Sequence, residues 1–180
     1  MEFNQSQTYA NLRSAMEREL MVSTLYRIYG DQARENGFNE IGNIFDTIAR
    51  NELEHGRIFL RQINNGTIPY TEENLRNSAA LEVATGELYR QYAVVATEEG
   101  YTDIAALFNG ISNIEFNHDL AFTTQYEDVI RDQVFCKPGE TLWICMACGN
   151  ILSGQCAPEI CPICSLPQSY YRVYTGEEDI

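Results

Sequence analysis

Between residues 6 and 132 the apolar positions recur every three to four residues, the spacing of one face of an α-helix. Leu12, Met16, Glu19, Ser23 and Tyr26 share one stripe, and Ile41, Ile44, Phe45, Ile48, Glu52, His55 and Phe59 share the next. The pattern then returns as Leu75, Ala79, Glu82, Gly86 and Tyr89, followed by Ile104, Leu107, Phe108, Ile111, Glu115, His118 and Phe122. Gly37 and Gly100 suit helix C-terminal caps, with Asn39, Thr71 and Thr102 as the N-caps that follow. The pattern predicts four helices, about 6–36, 39–65, 71–99 and 102–132, arranged as two helical hairpins.

The two halves are a repeat offset by 63 residues. From 11/74 to 59/122, without a gap, 17 of 49 aligned pairs are identical, where chance gives roughly three. The only two histidines, His55 and His118, are repeat mates, and each follows a glutamate by three residues, as Glu52 and Glu115. Glu19 and Glu82 are mates on the partner helices. By contrast Glu17, Glu54 and Glu87 fall opposite Ala80, Asn117 and Thr24, so the repeat separates them from the ligand candidates.

Residues three apart lie on one helix face, so each Glu-x-x-His points one way, and that face is the apolar stripe. Carboxylates gathered in a helix core repel one another and cost several kcal/mol each unless something cationic compensates. None of the 12 Lys and Arg falls on these stripes near the six groups, which leaves two metal ions as the counter-charge. One Glu from each of two helices plus Glu-x-x-His from each of the other two is a carboxylate-bridged two-metal ligand set. Mixed oxygen and imidazole ligation favours iron or manganese over zinc. Tyr26 and Tyr89, seven residues beyond Glu19 and Glu82, either hydrogen-bond a ligating carboxylate or simply pack in the core.

Composition changes after residue 137. Four of the five prolines and all six cysteines lie between 136 and 167. Cys145-x-x-Cys148 and Cys161-x-x-Cys164, twelve residues apart, are two knuckles of a tetrahedral four-thiolate metal site, iron or zinc. Gly149 suits the left-handed turn after the first knuckle, and Ser165 stands less favourably at the matching place. Cys136 and Cys156 fall outside the pattern and are expected to be free thiols, a redox or alternative-ligand role being the lesser reading. The boundary is expected near Lys137-Pro138-Gly139, giving a 1–137 bundle with repeats about 6–65 and 71–132, and a 138–180 module too small to fold on an apolar core alone.

A formal net charge of −14 excludes a phosphate-binding basic face, and so nucleic acid. No apolar run reaches the length of a membrane span. The N-terminal Met-Glu-Phe-Asn-Gln lacks the basic start and apolar stretch of a signal peptide, so a cytoplasmic protein is expected.

A duplicated Glu…Glu-x-x-His bundle followed by C-x2-C-x12-C-x2-C resembles the rubrerythrins over nearly the whole chain, about Asn11 to Tyr174. The resemblance implies an all-α ferritin-like four-helix bundle with a small, turn-rich rubredoxin-like domain at its C-terminus. It implies a di-iron site on Glu19, Glu52, His55, Glu82, Glu115 and His118, and one further iron (or zinc) on Cys145, Cys148, Cys161 and Cys164. It also implies an oxidoreductase that reduces hydrogen peroxide to water, with electrons from an NAD(P)H-fed donor such as rubredoxin or a reductase. The family typically carries a further ligand glutamate three residues after the first on the third helix, where this chain has Thr85. That departure moves the site toward a symmetric ferroxidase type, so iron oxidation is the alternative function; a non-catalytic, zinc-stabilised protein is the third reading.

Spacing also bears on assembly. In a bundle closed by one chain, helices two and three run parallel, so their connection must return roughly 30 Å along the bundle. Residues 65–71 span at most about 25 Å. A homodimer swapped between helices two and three is therefore expected, with each six-ligand site shared by two chains.

Overall fold

The computed structural model describes residues 2–176. A short 3-10 turn (Phe3–Gln5) leads into α1 (Gln7–Glu35), α2 (Asn39–Ile63), α3 (Thr71–Glu98) and α4 (Thr102–Ile130). Strands β1 (Cys136–Cys145), β2 (Ile151–Cys156) and β3 (Tyr171–Val173) follow, with a 3-10 turn at Gln168–Tyr170. The chain divides into two compact units, one up to Pro69 and one from Tyr70 onward. The first holds α1 and α2; the second holds α3, α4 and the strands. Residues 137/138, where the boundary between bundle and module is expected, lie within β1.

Within each unit the two helices are joined by the same tight turn. Gly37 (φ 85°) and Gly100 (φ 86°) take the left-handed conformation that closes a helix. The next residue donates back over the end: Phe38 N–H to Ala33 C=O at 2.8 Å, and Tyr101 N–H to Ala96 C=O at 2.7 Å. Phe38 and Tyr101 are themselves the N-caps of α2 and α4. Asn39, Thr71 and Thr102 are first helical residues and make no cap, contrary to expectation. Before Asn39 and Thr102 the connection is too short to spare them, because Phe38 and Tyr101 each close one helix and open the next; before Thr71 it is Tyr70 that takes the N-cap position. Only α1 has a side-chain cap, Ser6 Oγ accepting from Tyr9 N–H at 3.1 Å.

Small residues let the paired helices approach closely. In the first hairpin Ser23 on α1 donates to Ala49 C=O on α2 at 2.7 Å. In the second, the roles of the repeat mates reverse, and Ser112 on α4 donates to Gly86 C=O on α3 at 2.8 Å. Gly30 lies against Gly42, and Leu20 against Gly56, so the partners step in opposite directions and the hairpin is antiparallel. Among the described residues the buried positions of the four helices are all Gly, Ala or Ser. Larger apolar side chains such as Ile44, Ile48, Leu107, Ile114 and Leu120 are exposed. Each hairpin therefore presents an apolar face that its own two helices do not cover.

The strands form an antiparallel sheet of order β2-β1-β3. Its core is Trp143, Cys145, Ala157, Cys161 and Tyr171, and the Trp143 indole N–H donates to Gly154 C=O at 3.0 Å. Cys136 and Cys156 are joined by a disulfide, not free. They are register partners at one end of the β1–β2 pair, a pairing that a sequence separation of 20 concealed.

Candidate metal centres

Each hairpin brings three of the six expected bundle ligands together. Ligand atoms of Glu19, Glu52 and His55 all lie within 4.8 Å of one another, as do those of Glu82, Glu115 and His118. His55 Nδ1 is 3.0 Å from Glu52 Oε2 and 3.4 Å from Glu19 Oε2. His118 Nδ1 is 3.1 Å from Glu115 Oε2 and 3.6 Å from Glu82 Oε2. The repeat is thus carried down to side-chain geometry. Helix periodicity causes this: three residues turn the chain almost once, so Glu and His of one motif face the same neighbour across the hairpin.

The glutamates set aside by the repeat lie elsewhere. Glu17, Glu54 and Glu87 are exposed, with Glu17 3.7 Å from Arg13 and Glu54 paired to Arg57. The exposed Glu87 does not replace the missing third-helix ligand, and the half-buried Thr85 offers no carboxylate. Tyr26 and Tyr89 pack as aromatics, each with its ring centroid 5.8 Å from the phenylalanine of the facing helix, Phe45 and Phe108.

The carboxyl pairs of the two half-sites match in their electrostatics as well. A hydrogen bond with Glu52, reinforced by burial, raises Glu19 above the ordinary carboxylate range, and the same bond lowers Glu52. Glu82 is raised and Glu115 lowered in the same way, each chiefly by its bond with the other. Within each pair the two carboxyls are thus driven apart, one made harder to ionise and the other easier, as closely spaced like charges are. Hydrogen bonding to Glu52 also holds the His55 imidazolium above its usual value. Converging oxygen and nitrogen donors that repel one another's charge are the chemistry a divalent metal fits. The side chains of His55 and His118 are about half exposed, at 52% and 53%. Beside the second set a cleft of about 240 Å³ is lined by Glu82, His118, Ala121 and Phe122. Three ligands on an open face make half a site.

The four-thiolate centre is complete by itself. Cys145 Sγ lies 3.7 Å from Cys164 Sγ, and Cys148 Sγ 3.7 Å from Cys161 Sγ. The knuckles are matching turns: Gly149 N–H donates to Cys145 C=O at 2.8 Å, and Ser165 N–H to Cys161 C=O at 2.9 Å. Gly149 (φ 74°) and Ser165 (φ 62°) both take left-handed backbone, so the serine accepts a conformation that glycine adopts more cheaply.

The charge spreads unevenly over the sulfurs. Contact with the Tyr171 hydroxyl, then backbone N–H groups of Cys164 and Ile163, lowers Cys161 to about 6. Burial opposes ionisation of Cys145, but the N–H groups of Cys148 and Ala147 outweigh it and bring that thiol down too. The Asn150 N–H favours ionised Cys148, yet burial and the three other sulfurs push it up to about 12. Two buried donors, the Tyr171 hydroxyl and Asn150 Nδ2, have no full hydrogen-bond partner. Burial first, then Cys161, raises Tyr171 to about 12. Orphaned donors beside sulfur are what an anionic metal–thiolate centre calls for. Nothing in the sequence marked Tyr171, because only the folded sheet brings it opposite Cys145 and the knuckles; Asn150 follows Cys148 by two residues, but its residue type alone gave no signal.

The chain is similar to known proteins over nearly its whole length. The family model described as "Rubrerythrin" matches residues 10–70, and "Rubrerythrin, rubredoxin-like domain" matches residues 143–172. The chain is 32% identical to a rubrerythrin of Clostridium perfringens, covering 94% of this chain and 95% of that protein. It is 31% identical to a rubrerythrin of Nitratidesulfovibrio vulgaris, covering 93% and 94%. A solved structure of nigerythrin in a mixed-valence state shares 23% identity over 94% of this chain and 87% of that one, with a TM-score of 0.36. None of the helices in the described residues is long and apolar enough to cross a membrane. With a duplicated carboxylate–histidine di-iron ligand set and a rubredoxin-like four-cysteine iron site on one polypeptide, the chain belongs to the rubrerythrin family.

Proposed function

We propose that this protein is a non-haem di-iron peroxidase of oxidative-stress defence, which reduces hydrogen peroxide to water. The reaction H2O2 + 2H⁺ + 2e⁻ → 2H2O needs a two-electron store, a proton supply and a route for electrons to return. Glu19, Glu52 and His55 with Glu82, Glu115 and His118 are the residues we assign to hold two irons, which supply both electrons. In the pairs Glu19–Glu52 and Glu82–Glu115 one carboxyl is raised, so cation binding there competes with its protonation. Cys145, Cys148, Cys161 and Cys164 form the relay. Exposed Cys148, with Met146 and Ile163 exposed beside the knuckles, offers the edge a donor protein fed by NAD(P)H would meet.

The observation that carries this reading is the coexistence of two matched Glu, Glu-x-x-His half-sites and a one-electron thiolate centre on one chain. Stopped-flow oxidation of the fully reduced protein tests it: peroxide is expected to react much faster than oxygen, and a marked preference for oxygen refutes it. Iron oxidation for detoxification is the second reading, favoured by Thr85 and the resulting four-glutamate, two-histidine set. A colourless protein holding only zinc would support the third, non-catalytic reading.

The working unit in this proposal is a swapped homodimer. In a bundle closed by one chain, eight residues from His55 to the end of α2 and eleven from the start of α3 to Glu82 make a return path of about 28 Å. The connection bends before it can travel. Asn65 and Gly66 take left-handed backbone (φ 54° and 91°), and Gly66 N–H donates to Arg61 C=O at 2.7 Å. Residues 67–70 reach at most about 14 Å. Pairing α1–α2 of one chain with α3–α4 of another removes that demand, covers both apolar faces and completes two six-ligand sites.

A further inference from the structure

Among the described residues the Cys136–Cys156 disulfide is a redox-capable group outside both metal centres. Cys136 opens β1 just after α4 ends at Ile130, and Cys156 closes β2 just before the ligand Cys161. The bond therefore spans the join between the helical hairpin and the four-cysteine module. The ladder hardly supports it there: the next register pair is Thr141 with Gly154, so residues 137–140 bulge out of β1. Beside the bond, Ala157 N–H donates to Phe135 C=O at 2.8 Å. Ala157 lies in the module core against Cys145 and Cys161, and its carbonyl accepts from Gln168 Nε2 at 2.6 Å. Both sulfur-bearing residues are accessible, with Cys156 exposed and Cys136 half-buried beside a cleft of about 340 Å³ at the foot of α4.

We propose that Cys136 and Cys156 form a metal-free dithiol/disulfide site that exchanges with a thioredoxin-class dithiol protein, and that reduction loosens the join between α4 and the module. A thiolate of the reductant attacks Sγ of the exposed Cys156. The bond to Cys136 breaks, and Cys136 leaves as a thiolate and takes a proton. The second thiolate of the reductant attacks the mixed disulfide, releases Cys156, which is protonated, and departs as the reductant's own disulfide. Two electrons and two protons pass to the pair. With the covalent link gone, the Ala157–Phe135 hydrogen bond is left to hold that end of the strand pair across the bulge.

The site does not depend on the bundle chemistry, and its test counts sulfurs rather than peroxide. Iron-loaded full-length protein is incubated anaerobically with thioredoxin, its reductase and NADPH, then quenched and labelled with N-ethylmaleimide. Tandem mass spectrometry reads Cys136 and Cys156 separately from the four ligand cysteines. Both are expected to become labelled within minutes while the visible spectrum of the thiolate iron persists, and oxidised thioredoxin is expected to protect both again. The Ala157 amide is expected to exchange hydrogen at least about tenfold faster in the reduced protein. A pair that stays unlabelled until the chain is denatured overturns the proposal, as does reduction that leaves Ala157 exchange unchanged. The Cys136→Ser, Cys156→Ser double variant is expected to show the fast exchange with no reductant present. If it exchanges like the oxidised protein, the loosening is refuted.

Discussion

A chain carrying Glu19→Gln and Glu52→Gln keeps the shape of its first hairpin but loses both anionic oxygens there; Glu82→Gln with Glu115→Gln does the same to the second. All four side chains are only partly exposed, at 27%, 21%, 21% and 16%, and glutamine preserves their volume. In a swapped dimer, either variant alone pairs every damaged hairpin with an intact one, so no six-ligand site survives. Coexpressing the two changes the count. Random assortment makes about half the dimers mixed, and each mixed dimer has one site built from two damaged hairpins and one from two intact hairpins, so about a quarter of all sites are whole. Two different affinity tags isolate the mixed dimers, in which about half the sites are whole. Bundle iron content and the amplitude of a single peroxide turnover are expected to follow those fractions. If mixed dimers form and recover neither iron nor turnover, each site closes within one chain and the swap is wrong. The assay is sharp because a single-chain site predicts no recovery, not merely less.

Other consequences concern packing, backbone and protons. A Cβ at Gly42 would lie 2.8 Å from Arg34 Cγ and 2.9 Å from Gly30 C=O, so Gly42→Ala is expected to cost about 1–2 kcal/mol in urea unfolding despite its helix-propensity gain. Gly110→Ala meets nothing within 4 Å, and is expected to stabilise by about 0.5–1 kcal/mol. Gly149→Ala also meets nothing, but φ is 74°, so a loss of about 1–2 kcal/mol and faster iron release from the thiolate centre are expected; Ser165→Gly is expected to slow that release. Because Glu19 and Glu82 are raised, cation binding competes with their protonation. Isothermal titration of metal-free protein with Mn²⁺ is expected to show affinity rising and proton release shrinking as pH climbs through that raised carboxylate range, and a pH-independent affinity refutes that competition. The metal-free fold has the matching sign. The raised Glu19 contributes stability below its folded pKa that is lost as pH rises through it, whereas the lowered Glu52 contributes above its unfolded value and loses it as pH falls.

Four helices, their repeat and the residues that meet in the two Glu, Glu-x-x-His clusters were legible in the amino-acid order, because helix facing is a local property: a carboxylate and an imidazole three residues apart share a face wherever the helix goes. The repeat also separated Glu52 from Glu54 and Glu82 from Glu87, and the structure sets Glu54 and Glu87 in solvent. The four ligand cysteines were equally legible, since a knuckle is a local turn. What only tertiary structure decided depends on register between distant segments. Ser23 and Ser112 hold opposite helices of their hairpins although the stripes repeat, because either helix can supply the hydroxyl at a close crossing. Asn39, Thr71 and Thr102 lost their expected capping role because a neighbour already served both helices or opened the next. Cys136 meets Cys156 because an antiparallel pairing with a bulge in β1 brings them opposite each other. Sequence spacing carries the identity of a ligand on its own element; which groups meet across elements is set by packing and register, which no local pattern contains.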